Sequence, residues 1–204
     1  MAGKIAVLAS TRGTVLQGIT DAVREGRLLG KVDVVISDCP KCGALQKAGA
    51  AGIDTVLISP EGKTREEFDK ELMQELTSRN IDLVLLIGFM RILSSNYVQE
   101  WGNKTLNIHP SLLPAFAGGV DVAVHRQVLA AGVKVSGCTL HFISETADEG
   151  PIALQQCVQV NYDDTAQKLK QRVQDAEKEI IVKGANLFLK GKFKIEGNKV
   201  KVLG

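Results

Sequence analysis

The chain has 204 residues, 45% of them hydrophobic and 24% charged, with a formal net charge of +2. That length can bury a sizeable core and predicts one domain or a tight pair of subdomains. The small charge argues against general affinity for nucleic acid or an anionic membrane, and no apolar run approaches the roughly 18 residues of a membrane span.

Met1-Ala2-Gly3-Lys4 leads directly into a strand-like run without the apolar region and cleavage site of a signal peptide, so the expected compartment is the cytoplasm. Residues 4–9 read as a buried strand, followed by Ser10-Thr11-Arg12-Gly13-Thr14 and a helix pattern over 14–25. Strands at 31–36 and 54–58 flank an Ala-rich helix at 43–51. Thr64 is a candidate N-cap, with Glu66 and Glu67 behind it and Phe68, Leu72, Met73 and Leu76 on one helical face. The most apolar run is Leu83–Ile87; continuous runs of this kind suit parallel strands covered on both faces.

Residues 105–109 form a short strand and 122–131 a helix pattern. Strands at 135–143 and 152–160 are joined by the polar loop 144–151. A helical stretch covers 164–189, with an interruption expected near Gly184, and Glu196-Gly197-Asn198 marks a hairpin in the tail. Strands alternating with helices predict an α/β fold: an open, doubly wound, mostly parallel sheet with a Rossmann-like N-terminal half and a mixed or antiparallel C-terminal extension. A single domain is expected over 1–204, with one lobe at about 1–103 on the nucleotide and phosphate side and a second at about 104–204 on the catalytic side.

Several segments have the makings of a site. Asn107 and His109 are two apart on a strand, so they face the same side, and Pro110 and Pro114 stiffen the exit. An amide and an imidazole so placed can hold a carbonyl oxygen as it becomes an oxyanion. The turn Arg12-Gly13-Thr14 before a helix is either a phosphate site on helix N–H groups or an ordinary connection. The segment Gly88-Phe89-Met90-Arg91-Ile92-Leu93 follows a central strand, where open sheets bind ligands; it suits an apolar pocket for a flat heterocycle or simple core packing, with Arg91 a possible structural charge. Asp148 is either a turn residue or a group that reaches His109 and relays a proton through water. Gln174 and Glu177, three apart on a helix, suit a ribose diol or a solvated face. His125 caps or packs a helix, and His141 bonds locally within its strand. The Cys39-Pro40-Lys41-Cys42 run could be half a zinc site, a redox pair or a loop, and no second ligand pair lies near it in sequence.

Taken together, Gly88–Leu93, Asn107-Ile108-His109-Pro110-Ser111-Leu112-Leu113-Pro114 and Asp148-Glu149-Gly150-Pro151, in that order and spacing, resemble the phosphoribosylglycinamide formyltransferases of purine biosynthesis. The resemblance runs from Lys4 to about Lys190; variants of the first two motifs occur across formyltransferases and hydrolases that use 10-formyltetrahydrofolate. It implies Asn107, His109 and Asp148 as catalytic residues, and direct attack by the ribonucleotide amine on the formyl carbon of 10-formyltetrahydrofolate as co-substrate, with no metal. It implies Arg12, Gly13, Thr14, Val15, Gln174 and Glu177 around the ribonucleotide. Arg65, Phe89, Met90, Arg91, Ile92, Leu93, Asn107, Ser144, Glu145, Thr146, Ala147 and Asp148 would surround the folate. Partners would be small-molecule substrates, with no nucleic acid or membrane and a monomer or homodimer.

Two departures stand out. The family's phosphate loop commonly reads Ser-Gly-x-Gly-Ser-Asn, against Ser10-Thr11-Arg12-Gly13-Thr14-Val15, in which Val15 offers only its backbone and Arg12 adds charge. Residues 115–124 are longer than the common pattern and lack its Pro-Gly. The alternatives are a related formyltransferase acting on another amine, whose transfer-RNA members carry an extra C-terminal domain, or an idle folate- or nucleotide-binding module.

Overall fold

A computed structural model describes residues 2–204. The chain runs β1 (Lys4–Leu8), α1 (Thr14–Arg24), β2 (Lys31–Ser37), α2 (Gly43–Ala50), β3 (Asp54–Leu57), α3 (Arg65–Ser78), β4 (Leu83–Leu86), α4 (Ser95–Trp101), β5 (Thr105–His109), α5 (Asp121–Ala130), β6 (Val135–Phe142), β7 (Ile152–Gln159), α6 (Ala166–Leu189), β8 (Phe193–Glu196) and β9 (Lys199–Val202). All strands join one nine-stranded sheet in the order β3-β2-β1-β4-β5-β6-β7-β9-β8. It is parallel from β3 to β5, and β6 and β7 add antiparallel.

Strand alternation divides the core. Ile5, Val7, Leu83, Leu85, Leu106 and Ile108 pack under α1, α5 and α6. Ala6, Leu8, Val84 and Leu86 face Phe68, Leu72 and Leu76 of α3, and Tyr97 and Trp101 of α4. Both faces are covered at the centre of the sheet, which is why Ile5–Leu8 and Leu83–Leu86 are apolar throughout. Thr105, on the α4 face, bonds the Tyr97 hydroxyl at 3.2 Å; Asn107 and His109 share its face beyond the cover of α4. α3 starts on a capping box in which Thr64 Oγ1 accepts from Glu67 N–H and the Glu67 carboxylate accepts from Thr64 N–H.

The structure departs from the sequence reading in three places. α4 was not anticipated: at 7 residues it is too short to show a helical period, although Ser94 caps it and Tyr97 and Trp101 lie one turn apart. α6 starts at Ala166, and Asp164 pairs instead with both terminal nitrogens of Arg172, at 2.7 and 2.9 Å. Gly184 does not interrupt α6. It is where the helix sits on β6, and a Cβ there would lie 2.0 Å from Leu140 Cδ2. No helix among the described residues is long and apolar enough to cross a membrane.

Candidate active site

Chain order reverses between β1 and β4, and at the carboxyl ends of β1, β4 and β5 lies a cavity of about 810 Å³. This is where open α/β sheets leave a crevice, because the connections leave to opposite sides. The β1 and β4 exits clasp each other there. Ser10 N–H donates to Gly88 O at 3.1 Å, and Met90 N–H donates to Ser10 Oγ at 3.0 Å. Gly88 has φ +59°, and a Cβ there would fall 2.6 Å from Thr11 Oγ1, so the clasp requires glycine. Phe89, Met90, Arg91, Ile92 and Leu93 line the cavity. Leu93 is buried, Met90 and Ile92 are exposed at 53% and 60%, and Arg91 lies over the Phe68 ring.

At the β5 end, Asn107 and His109 line the cavity together. Asn107 stands opposite His141 in the antiparallel β5–β6 register, and its Nδ2 lies 3.0 Å from His141 Nε2. The other His141 nitrogen, Nδ1, is 2.9 Å from Phe142 O. A carbonyl can only accept, so Nδ1 carries the hydrogen and Nε2 accepts from the Asn107 amide. One Asn107 N–H is thereby held, and the second is left for the cavity. Burial is the main reason that His141 titrates below the ordinary histidine range, in keeping with a neutral ring.

His109 is 5% exposed, with Nδ1 3.3 Å from Asp148 Oδ1 and Nε2 3.3 Å from Phe116 O. Both partners are acceptors, so the pair of contacts suits the doubly protonated ring. Asp148 has φ 62°, and its Oδ2 accepts from Gly118 N–H at 2.9 Å. Burial works against the Asp148 charge, but the His109 bond, the Gly118 N–H and the neighbouring rings outweigh it and hold the carboxyl below its ordinary range.

At the far end, α1 opens on Gly13, a left-handed N-cap with no side-chain bond to the first-turn N–H groups. Arg12, Thr14 and Val15 line the cavity, and the Val15 side chain is only 5% exposed and packs in the core. α6 contributes Lys170, Gln174 and Glu177. Burial pushes the Glu177 carboxyl up to about 8 against the opposing pull of Lys170 and Lys178. His125 on α5 is 1% exposed; burial, then Lys170, lower it to about 4, and its Nδ1 has no hydrogen-bond partner.

Most of the residues singled out from sequence thus surround one cavity, Ser144, Thr146 and Ala147 included. Arg65 does not join them; it opens α3 half-exposed, its guanidinium beside Glu66. Glu145 is an exposed loop residue outside the lining, and Gly13 lies behind the lining Arg12 and Thr14. Cys39 and Cys42 line the cavity as free thiols, and no group of His, Cys, Asp and Glu among the described residues could hold a metal ion. Sequence reasoning gave His141 only a local bond, which its Nδ1 makes to Phe142 O, and passed over Lys170 and Asp121. Only the cross-strand register brings His141 to Asn107, and only tertiary packing brings Lys170 to Asp121.

A family model described as formyl transferase matches residues 3–184. Over 195 residues the chain is 38% identical to the phosphoribosylglycinamide formyltransferase of Escherichia coli, covering 95% of this chain and 91% of that protein. It is 43% identical over 196 residues to the human trifunctional purine biosynthetic protein adenosine-3, covering 96% of this chain and 19% of that protein, so it spans about a fifth of that relative's length. The crystal structure of glycinamide ribonucleotide transformylase 1 from Symbiobacterium toebii superposes with a TM-score of 0.94 at 43% identity, covering 100% of this chain and 95% of that one.

Proposed function

This chain belongs to the formyl transferase family, and we propose that it transfers the formyl group of 10-formyltetrahydrofolate to the amino group of 5-phosphoribosylglycinamide. The products are the N-formyl ribonucleotide and tetrahydrofolate, in the de novo route to IMP. The observation that carries the reading is the meeting of Asn107, His109 and Asp148 at one wall of a cavity whose other end offers helix N–H groups, Gln174 and Glu177.

The amine attacks the formyl carbon, and the carbonyl electrons move onto oxygen. His109 Nε2–H and the free Asn107 N–H donate to that oxyanion, and in a site shielded from water such donors act strongly because they need no reorganisation. The C–N10 bond then breaks as the oxyanion collapses, and the amine's proton passes to N10. Asp148, bonded to His109 Nδ1, keeps the ring oriented and relays that proton. For Nε2 to reach the formyl oxygen, it must leave Phe116 O, its partner in this structure. Phe89–Leu93 with Ser144, Thr146, Ala147 and Asp148 enclose the pterin in this reading, and Arg12 to Val15 with Gln174 and Glu177 hold the ribonucleotide. The enzyme works in the cytoplasm, as a monomer or homodimer.

The test is the folate absorbance change during incubation with 10-formyltetrahydrofolate and a panel of amines. Turnover with 5-phosphoribosylglycinamide supports the reading; turnover with another amine alone would overturn the acceptor assignment, and none with any amine would indicate an idle binding module.

A further inference from the structure

The ribonucleotide end of the cavity contains a charged pair that the proposed reaction does not use. Lys170 on α6 lies one turn before Gln174 and two before Glu177, on the same stripe of the helix. It is 8% exposed, and its ammonium is bonded to the Asp121 carboxylate, whose side chain is 61% exposed. Lysines are rarely this buried unless paired. Here the partner is on the rim.

Asp121 also has an unusual backbone. It is the first residue of α5 and has φ 49°, a left-handed conformation that costs a non-glycine residue energy. Lys170 is the main reason its carboxyl stays below the ordinary range, and the charge of Arg12 acts in the same sense. Two cations, one after β1 and one on α6, therefore act on a single carboxylate at the cavity edge. Arg12, Asp121, Lys170 and the partnerless His125 all line that cavity. The α1 turn beside them has no side-chain cap, and Val15 turns into the core, so the backbone N–H groups there have no side-chain support.

We propose that Lys170 is a phosphate-binding residue of the ribonucleotide subsite and that Asp121 is a stand-in anion, occupying Lys170 until the substrate's phosphate displaces it. This rests on the ribonucleotide reading above. A phosphomonoester dianion carries more charge than a carboxylate and offers three oxygens, so Lys170 and Arg12 together favour it. Asp121, held in a strained backbone and largely in water, is readily exchanged. Its competition lowers the apparent affinity for phosphate by the fraction of molecules in which Lys170 is occupied.

The experiment is calorimetric titration of the whole chain with ribose 5-phosphate and, separately, with inorganic phosphate, so that no folate or formyl transfer enters the readout. Lys170→Met should raise the Kd for ribose 5-phosphate about 10- to 100-fold, the usual worth of a charged hydrogen bond. Asp121→Asn should lower it about 3- to 10-fold by removing the competitor. Unchanged binding in a folded Lys170→Met protein would overturn the phosphate role, with Lys170→Gln the substitute if the first variant does not fold. Equal or weaker binding in Asp121→Asn, an exposed position, would overturn the displacement. A chain that shows both shifts yet leaves 5-phosphoribosylglycinamide unformylated would retain this subsite and lose the acceptor assignment.

Discussion

Around His109 the polar atoms are matched: Asp148 stands on Nδ1, Phe116 O on Nε2, and the Asn107 amide is held by a His141 ring anchored in turn on Phe142 O. Toward α6 they are not: His125 Nδ1 has no partner, burial pushes the Glu177 carboxyl up to about 8, and Lys170 depends on an exposed aspartate in a left-handed backbone. In the first region the β5–β6 register sets Asn107 against His141, and the loop residues Asp148 and Phe116 stand on His109. The second keeps desolvated polar groups whose partners the protein does not supply, as expected where a polar ligand completes the network. The protein satisfies the polar groups at one end of the cavity and leaves those at the other short of partners.

Breaking the matched region should have the largest effect. His109→Ala removes both a donor to the oxyanion and the proton path, and kcat should fall by about 10²- to 10⁴-fold, with little change in melting temperature, in steady-state assays. An active His109→Ala protein would contradict the assignment. His141→Phe leaves the Asn107 amide free to rotate while filling the same space; kcat should fall about 10-fold, the worth of one hydrogen bond, with KM for both substrates nearly unchanged. If kcat holds, the Asn107–His141 bond is packing alone.

Glu177 sharpens the contrast through pH. Its folded pKa, about 8, lies above that of an unfolded glutamate, so the folded state binds the extra proton. Stability of the ligand-free protein from this group is therefore complete below about pH 4.5 and falls as pH rises toward 8. Glu177→Gln abolishes that dependence: its melting temperature should exceed the parent's by several degrees at pH 8 and by far less at pH 5, while ribonucleotide KM rises. A constant difference across pH would mean that Glu177 is already charged in the fold. The smallest effect is expected at Gly184→Ala, away from both regions. The helix gains about 1 kcal/mol in propensity, but the new methyl meets a fully buried Leu140, and overpacking costs about 1–3 kcal/mol, so the melting temperature should drop by a few degrees.

These residues also mark how far the sequence could be read. Leu83–Leu86 announces a strand by its apolar run and Thr105–His109 by alternating polar and apolar residues, and the resemblance carried by the motifs implies that Asn107, His109 and Asp148 share one site. α4 escaped because seven residues span barely two turns. Gly184 reads as a breaker in sequence because local propensity does not report that another element needs the space. His141 and Asn107 are 34 residues apart, and Asp121 and Lys170 49 apart; pairs at such separations carry no local signature. In the matched region Asn107, His109 and Asp148 were legible because the motifs that hold them carry a family resemblance; its His141 contact and the unmatched region were hidden because their groups meet only through strand pairing and packing.

The most direct test is to follow the label from 10-[¹³C]formyltetrahydrofolate in the presence of 5-phosphoribosylglycinamide by ¹³C NMR, with parent and His109→Ala proteins side by side. The predicted result is label in the amide of the N-formyl ribonucleotide with the parent and almost none with the variant. Label released as formate, or equal transfer by both proteins, would contradict it.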